Sequence, residues 1–235
     1  MQGKSDIEKT SFRTFLVFSF FLFILLLPSY FIFSSKYMVR HVDITPEYYV
    51  GSSILNTLYG KSILTISDSS LESLYSIDPT IERIELNKVL PLSIGKIEIE
   101  LKFYEQVAEI LDLRGSKPEI SILFKNLHTA ESTEASINAI SVTIVNGPVD
   151  RGFNGEIVAL YMTLRSFETI DTGSLELSHS GVGIVGYYKD MEIVFGSPVD
   201  LATKAATVGE LLSDGNCKGT VRFISTQSFV SECDI

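Results

Sequence analysis

The chain has 235 residues and a formal net charge of −10 at pH 7, so it is long enough for one or two domains. Residues 1–33 carry three basic and two acidic side chains, which leaves −11 on the remainder. Nucleic acid and anionic lipid surfaces repel a protein of this charge, and the composition therefore argues against both as binding partners. Protein or neutral partners are expected instead.

An apolar segment follows a short N-terminal tail. Residues 15–33, FLVFSFFLFILLLPSYFIF, contain no charged side chain. As a helix they would extend roughly 28 Å, close to the roughly 30 Å of a bilayer hydrocarbon core. A cleaved signal peptide is the alternative, but the run is longer than an h-region and no A-x-A-like cleavage site follows it. The sequence therefore predicts a cytoplasmic tail over 1–14, a transmembrane helix over 15–35 and translocation of the rest.

The next elements have alternating strand and helix patterns. They are a strand near 37–44, helices over 52–59 and 69–78, a strand through Ile84 and Leu86, and a strand over 97–103. The last is the clearest, because Ile, Leu and Phe alternate there with Glu and Lys at the period-two spacing of a half-buried strand. The order βααββ over 37–108 predicts two helices on one side of a three-stranded sheet.

The second half of the chain is richer in strands. The pattern predicts a hairpin around the turn at 114–118, a polar loop at 125–138, a strand at 141–145, a helix at 154–167, strands at 175–178, 182–188 and 191–195, a helix at 196–212 with Ser197 as its N-cap and Pro198 at its first position, and a strand at 220–225. We therefore expect a mixed β-rich domain with two helices over 109–226 and a C-terminal tail over 227–235. The predicted fold class is α+β.

Motifs that would carry chemistry are weak. Gly181, Gly183 and Gly186 satisfy G-x-G-x-x-G, but nucleotide binding needs a strand before the glycines and a helix N-terminus after them, whereas these lead into a hairpin. The three histidines are scattered, and a thiol pair of His179 with Cys217 has no known enzyme motif around it. We expect no catalytic residue, no cofactor and no metal site.

The two cysteines lie in the part of the chain that is predicted to be exported. Cys217 and Cys233 could form a disulfide in an oxidising compartment, since a hairpin centred on Ser225 would bring them opposite each other. Two unrelated thiols are the alternative. Spacing alone leaves both open, because it does not fix the distance between the two Cα atoms.

Several short motifs carry a resemblance to a known family. KSILTIS before the second helix, DPTIERIELNKVLP across the next strand and the Val-Ala pair at 107–108 resemble a POTRA domain placed after a single membrane helix, as in the bacterial cell-division family FtsQ/DivIB. A strand ending in Val-Phe-Gly, a helix that carries Lys204 and ends in Leu-Leu, and one last strand look like the C-terminal β domain of the same family. The resemblance covers about residues 15–226.

The resemblance implies a non-catalytic bitopic scaffold of the divisome, single-pass in the bacterial inner (plasma) membrane, with a cytoplasmic N-terminus, at the division septum. Its partners would be FtsB/DivIC-like and FtsL-like bitopic division proteins and the septal peptidoglycan synthesis machinery. In that family the last strand is the main binding edge, which by resemblance is Thr220, Val221, Arg222, Phe223, Ile224 and Ser225 in this chain. For each of these residues, internal pairing in the core is an equal alternative.

Two other functions remain open. A POTRA-bearing adaptor of an export system is one, although the chain is too short to include a transport barrel. A membrane-anchored cell-wall hydrolase or transpeptidase is the other, and it would require a nucleophile and a base to converge in the fold.

Overall fold

The computed structural model describes residues 3–46, 52–131, 138–213 and 218–234. The chain divides into two compact units, Met1–Phe103 and Tyr104–Ile235. The boundary lies a few residues before the one predicted at 108.

The first unit begins with helix α1, Gly3–Phe33, whose large apolar side chains between Phe15 and Tyr30 are mostly exposed. The side chains of this helix are described over residues 14–30, a length of roughly 25 Å at about 1.5 Å per residue. Within the described residues no helix is both long and apolar enough to cross a membrane. This finding contradicts the predicted transmembrane helix over 15–35 and, with it, the predicted single-pass inner-membrane localisation.

The rest of the first unit has the order βααββ. Its elements are β1 His41–Thr45, α2 Ser52–Leu58, α3 Ser73–Ile77, β2 Ile81–Lys88 and β3 Lys96–Phe103. β3 is the central strand, parallel to β1 and antiparallel to β2. One face of β3 is buried through Ile97, Ile99 and Leu101, because the period-two pattern puts every second side chain on the same face. Leu58, Leu71 and Leu74 from the helical segments belong to the same core.

The second unit is built on a nine-stranded mixed sheet. Its strands are β4 Gln106–Asp112, β5 Glu119–Phe124, β6 Thr129–Glu131, β7 Ile140–Ile144, β8 Leu175–Ser180, β9 Gly183–Tyr188, β10 Met191–Gly196, β11 Lys218–Phe223 and β12 Phe229–Asp234. They lie side by side in the order β12-β11-β10-β9-β8-β7-β4-β5-β6. β4, β7 and β8 are mutually parallel, as are β10 and β11, and the other neighbours are antiparallel. The α+β class is therefore confirmed, and the sheet of the second unit is large and mixed.

Two crossover helices, α4 Arg151–Arg165 and α5 Leu201–Ser213, form the second layer. Helix α4 connects the parallel strands β7 and β8, and α5 connects the parallel strands β10 and β11, as parallel pairing requires. Both helices share one core with the inward side chains of the strands, including Ile157 and Tyr161 from α4 and Ala205 and Val208 from α5. Helix α5 packs closely against the segment that follows α4, since a Cβ atom at Gly209 would come within 2.3 Å of the Phe167 ring.

At the start of each helix, a backbone amide donates a hydrogen bond to a carboxylate side chain from outside the first turn. Asp150 caps α4 by accepting a hydrogen bond from the Phe153 amide at 2.8 Å. At the start of α5, the Leu201 amide donates to Glu156 Oε2 at 2.8 Å. The buried Lys204 Nζ donates to the carbonyls of Phe195 and Ser197 at 2.9 and 2.8 Å, and burial lowers the pKa of Lys204. Helix α5 therefore begins at Leu201, whereas the sequence predicted Ser197 as its N-cap and Pro198 as its first residue.

The ends of β4 and β7 are joined by Arg114. Its Nε donates to Asp112 Oδ1 at 2.9 Å, and its Nη1 donates to the carbonyl of Gly147 at 2.7 Å. Hydrogen bonds from the Arg114 side chain are the largest cause that lowers the pKa of Asp112 from 3.8 to about 2. The contact therefore favours the ionised form of Asp112 in the folded chain.

This ion pair predicts a pH dependence of stability. Because the pKa of Asp112 is lower in the folded chain than in the unfolded one, its stabilisation is fully present above pH 4, roughly, and is lost as the pH falls toward about 2. Asp112→Asn should cost about 1 kcal/mol at pH 7, since a partly exposed pair is screened by solvent. It should also flatten the fall in stability between about pH 4 and 2.

Urea unfolding across this pH range measures both effects, with Glu176→Gln as the matched control because Glu176 is an exposed carboxylate on the same sheet. An Asp112→Asn variant with the pH dependence of the native chain would contradict a stabilising role for this pair.

Candidate protein-binding edge strand

The predicted binding strand lies inside the sheet and not at its edge. Thr220, Val221, Arg222 and Phe223 belong to β11, which pairs with β10 on one side and with β12 on the other. Ile224 and Ser225 lie in the turn after it, where both amides donate to the carbonyl of Ser228, at 2.9 and 3.1 Å. The open edge at this end of the sheet is β12, in the segment predicted to be a tail.

The inward side chains of β11 are core residues. Val221 is fully buried, and Phe223 is 8% exposed. The Phe223 ring stacks on Phe195 of β10, with ring centroids 6.0 Å apart and an interplanar angle of 4°. On its other side it meets Phe229 of β12 at 5.8 Å. The three rings connect β10, β11 and β12 into one packed layer.

The outward side chains of β11 are more accessible. Arg222 is exposed, as is Ile224 in the turn that follows, and Thr220 is half-buried, with its Oγ1 atom 3.4 Å from Glu192 Oε2 on β10. Because the backbone of β11 is paired on both sides, these residues can offer a partner only their side chains. The candidate edge for partner binding is therefore β12 and not β11.

The hydrogen bonds of β11 fix which backbone groups of β12 face outward. In an antiparallel pair, opposed residues alternate between hydrogen-bonded and non-hydrogen-bonded positions. The bond from Ile224 to Ser228 makes that pair hydrogen-bonded, so Arg222–Val230 and Thr220–Glu232 are hydrogen-bonded in turn. The amide of Gly219 donates to the backbone carbonyl of Asp190 at 3.3 Å, on the β10 side of β11, which agrees with this alternation.

The backbone groups of Phe229 and Ser231 therefore point away from β11. Among the described residues no strand pairs with this side of β12. The side chains add apolar surface, because Phe229 is 38% and Val230 is 49% exposed. An edge of this kind is a template on which another chain can add a strand.

The other edges in the described part of the chain are less suited to strand addition. At the far end of the same sheet, β6 has only three residues. In the first unit the edge strands are β1 and β2. Strand β1 has five residues and carries Asp43, whose Oδ2 atom is 2.7 Å from Lys96 Nζ. Strand β2 carries an ion pair between Arg83 and Glu85, with the Arg83 Nε and Glu85 Oε1 atoms 3.2 Å apart. Charged side chains on an edge strand discourage pairing with other chains. Strand β12 therefore combines length with exposed apolar side chains.

The glycine motif has a packing explanation. Gly183 lies so close to the backbone of β10 that a Cβ atom would come within 2.5 Å of the Gly196 carbonyl oxygen. A Cβ atom at Gly186 would come within 2.9 Å of the Phe195 ring. Both glycines lie in strand β9, and no helix begins after them. Close approach of neighbouring strands accounts for these residues.

The three histidines lie in different places. His41 is beside Asp43 in the first unit, with Nε2 and Oδ1 3.1 Å apart, and His128 lies in the turn between β5 and β6. His179 is 3% exposed and stacks on Phe153 with ring centroids 4.9 Å apart. The thiol pair of His179 with Cys217 and the disulfide of Cys217 with Cys233 lie outside the described residues, because Cys217 is not among them.

The sequence contained a signal for β12. A run of Ser, Thr and Gln at 225–228 indicates a turn, and Phe229 and Val230 after it have high strand propensity. Two apolar residues followed by Ser and Glu are, however, a weak pattern, because an edge strand needs little buried surface.

The fold and this edge define a two-unit α+β protein with an open strand at the end of a large sheet. No protein-family model matches the chain, and no curated protein matches it significantly.

Proposed function

We propose that this protein is a non-catalytic scaffold of the bacterial divisome. It binds FtsB/DivIC-like and FtsL-like division proteins and links them to the septal peptidoglycan synthesis machinery. The observation that supports this proposal is the open edge of β12, six residues long and backed by the fully paired strand β11. The short motifs that resemble FtsQ/DivIB supply the identity of the partners.

Strand addition at β12 explains how such a scaffold binds without a pocket. A partner strand would pair with the outward backbone groups of Phe229 and Ser231, and each hydrogen bond adds about 1 kcal/mol net. Side chains then select the partner. Phe229 and Val230 favour apolar residues in the added strand, and the exposed Glu232 favours a basic one.

Recruitment of several proteins needs no single tight contact. Once one partner is held, the others bind at a raised effective concentration, so weak contacts suffice for a stable assembly. This mechanism requires binding surfaces and no catalytic group.

Depletion of the protein, combined with a fluorescent fusion, tests the proposed function in the cell. We expect the fusion to concentrate at the division site and depleted cells to grow long without dividing. A fusion that does not concentrate there, together with normal cell length after depletion, would contradict a role in division. In the same assay, a fusion that carries Ser231→Ala is the matched control for a fusion that carries Ser231→Pro.

A further inference from the structure

A cavity of about 1,100 Å³ lies in the second unit at the carboxyl ends of the parallel strands β4 and β7. Its walls are the end of β4, the β5–β6 hairpin and the first turn of α4. From β4 the chain continues to β5 on one side, and from β7 it crosses through α4 to β8 on the other. Crevices at such a divergence of connections are where open sheets of this type bind ligands.

The charge of the cavity is negative. Its lining includes the carboxylates of Glu119, Glu131 and Asp150, and the guanidinium of Arg151 is a cation beside them. Asp112 lines it as well but is already paired with Arg114. The remaining walls include apolar side chains, among them Ile110, Ile120 and Val149. Acidic groups beside apolar surface suit a long cationic side chain, whose stem packs on the apolar part while its head reaches the carboxylates.

Asn154 supplies an independent indication of a ligand. It lines the cavity from the first turns of α4 and is only 8% exposed. Its Oδ1 atom is buried and has no hydrogen-bond partner within the described part of the chain. A buried acceptor without a donor costs about 1 to 3 kcal/mol. A donor group brought by a ligand would remove this cost.

An anion is a poor fit for this cavity, although the cavity lies at the N-terminus of α4. The carboxylate of Asp150 already occupies that end of α4, where it accepts the hydrogen bond from the Phe153 amide at 2.8 Å. A second negative group there would face Asp150, Glu119 and Glu131 together.

We propose that this cavity binds a cationic hydrogen-bond donor, an ammonium or guanidinium group, on an extended peptide segment of a partner protein. The volume exceeds what one side chain fills, and a segment of a few residues matches it better. The cationic head would contact Glu119 and Glu131 and donate to Asn154 Oδ1. This site is separate from the β12 edge and does not depend on the divisome assignment.

Titration of the full-length chain with acetyl-Gly-Arg-Gly-amide, followed by amide NMR shifts, tests the site. We expect shifts at Ser121, Thr129 and Asn154, and at least about tenfold weaker binding of the citrulline analogue, which is neutral. Asn154→Ala and Glu131→Gln should each weaken binding of the arginine peptide at least about threefold. Glu131 is exposed, so its variant is expected to fold even if the buried Asn154 variant does not.

Glu176→Gln is the matched control, because it removes an exposed carboxylate outside the cavity lining. Its affinity for the peptide should stay within about twofold of the native value. Equal binding of the arginine and citrulline peptides would overturn the proposal. So would stronger shifts of the same amides by inorganic phosphate, or an equal loss of affinity in the Glu176 variant. Spermidine binding as tightly as the peptide would overturn the peptide part of the proposal.

Discussion

Replacing Ser231 with proline is expected to weaken binding of the proposed FtsB-like partner by at least about a hundredfold while the second unit stays folded. The amide of Ser231 points away from β11, so proline removes no hydrogen bond of the free protein. In the complex it removes the donor for the added strand and leaves a partner carbonyl unpaired, and its ring obstructs the close approach of the two backbones.

Two variants at neighbouring positions make this result specific. Ser231→Ala keeps the amide and should bind within about twofold of the native chain, because only a small exposed side chain is lost. Val230→Pro removes an amide that pairs with Arg222, so it should disturb the sheet itself. Partner affinity is measured by calorimetry and folding by circular dichroism. Unchanged affinity of the Ser231→Pro variant would show that the partner does not add a strand to β12.

Phe195→Ala should produce the largest loss of stability in the second unit, about 3 to 5 kcal/mol. Phe195 is 1% exposed, stacks on Phe223 and packs against the backbone of β9 at Gly186. Truncation would leave a cavity between β9, β10 and β11 that the rigid sheet cannot close. Urea unfolding measures the loss as a lower midpoint with little change in the slope.

Phe229→Ala is the matched control for this prediction. Phe229 belongs to the same aromatic cluster but is 38% exposed at the sheet edge. Its truncation should cost no more than about 1.5 kcal/mol, because less apolar surface is lost from the core. Equal losses for the two variants would contradict the view that the cluster is anchored at β10.

The predictable parts of the fold are those in which local pattern and tertiary packing agree. The alternation of Ile97, Ile99 and Leu101 marks β3 within one residue of its observed bounds. The strands at β8, β9 and β10 were predicted for the same reason, since each has one buried face.

Element ends were predicted less well where distant residues decide them. Helix α5 has an N-cap pattern at Ser197, but contacts of Glu156 and Lys204 place its start at Leu201. Helix α4 was predicted from Asn154, although Asp150 caps it and it begins at Arg151. The contact between Glu156 and Leu201 joins residues 45 positions apart in the sequence, so no local pattern contains it. The Asp150 cap is three residues from its partner Phe153 and is a local signal that the sequence interpretation missed.

The strand that the sequence indicated as the binding edge lies one strand inside the edge of the sheet. The sequence indicated the last strongly patterned strand, 220–225, but the last strand of the sheet is β12, which needs little apolar surface because it lies at the edge. The cavity was not predicted at all, since β4, β5 and α4 supply its residues from separate parts of the chain. Asn154 was assigned only to the start of a helix.

Amide hydrogen exchange at β12, measured residue by residue in the free chain and in the presence of the proposed FtsB-like partner, tests the central claim most directly. In the free chain the amides of Val230 and Glu232 should be protected by β11, while those of Phe229 and Ser231 exchange freely. On binding, exchange at Phe229 and Ser231 should slow by at least about tenfold. A partner that binds but leaves these two amides unprotected would contradict strand addition at this edge.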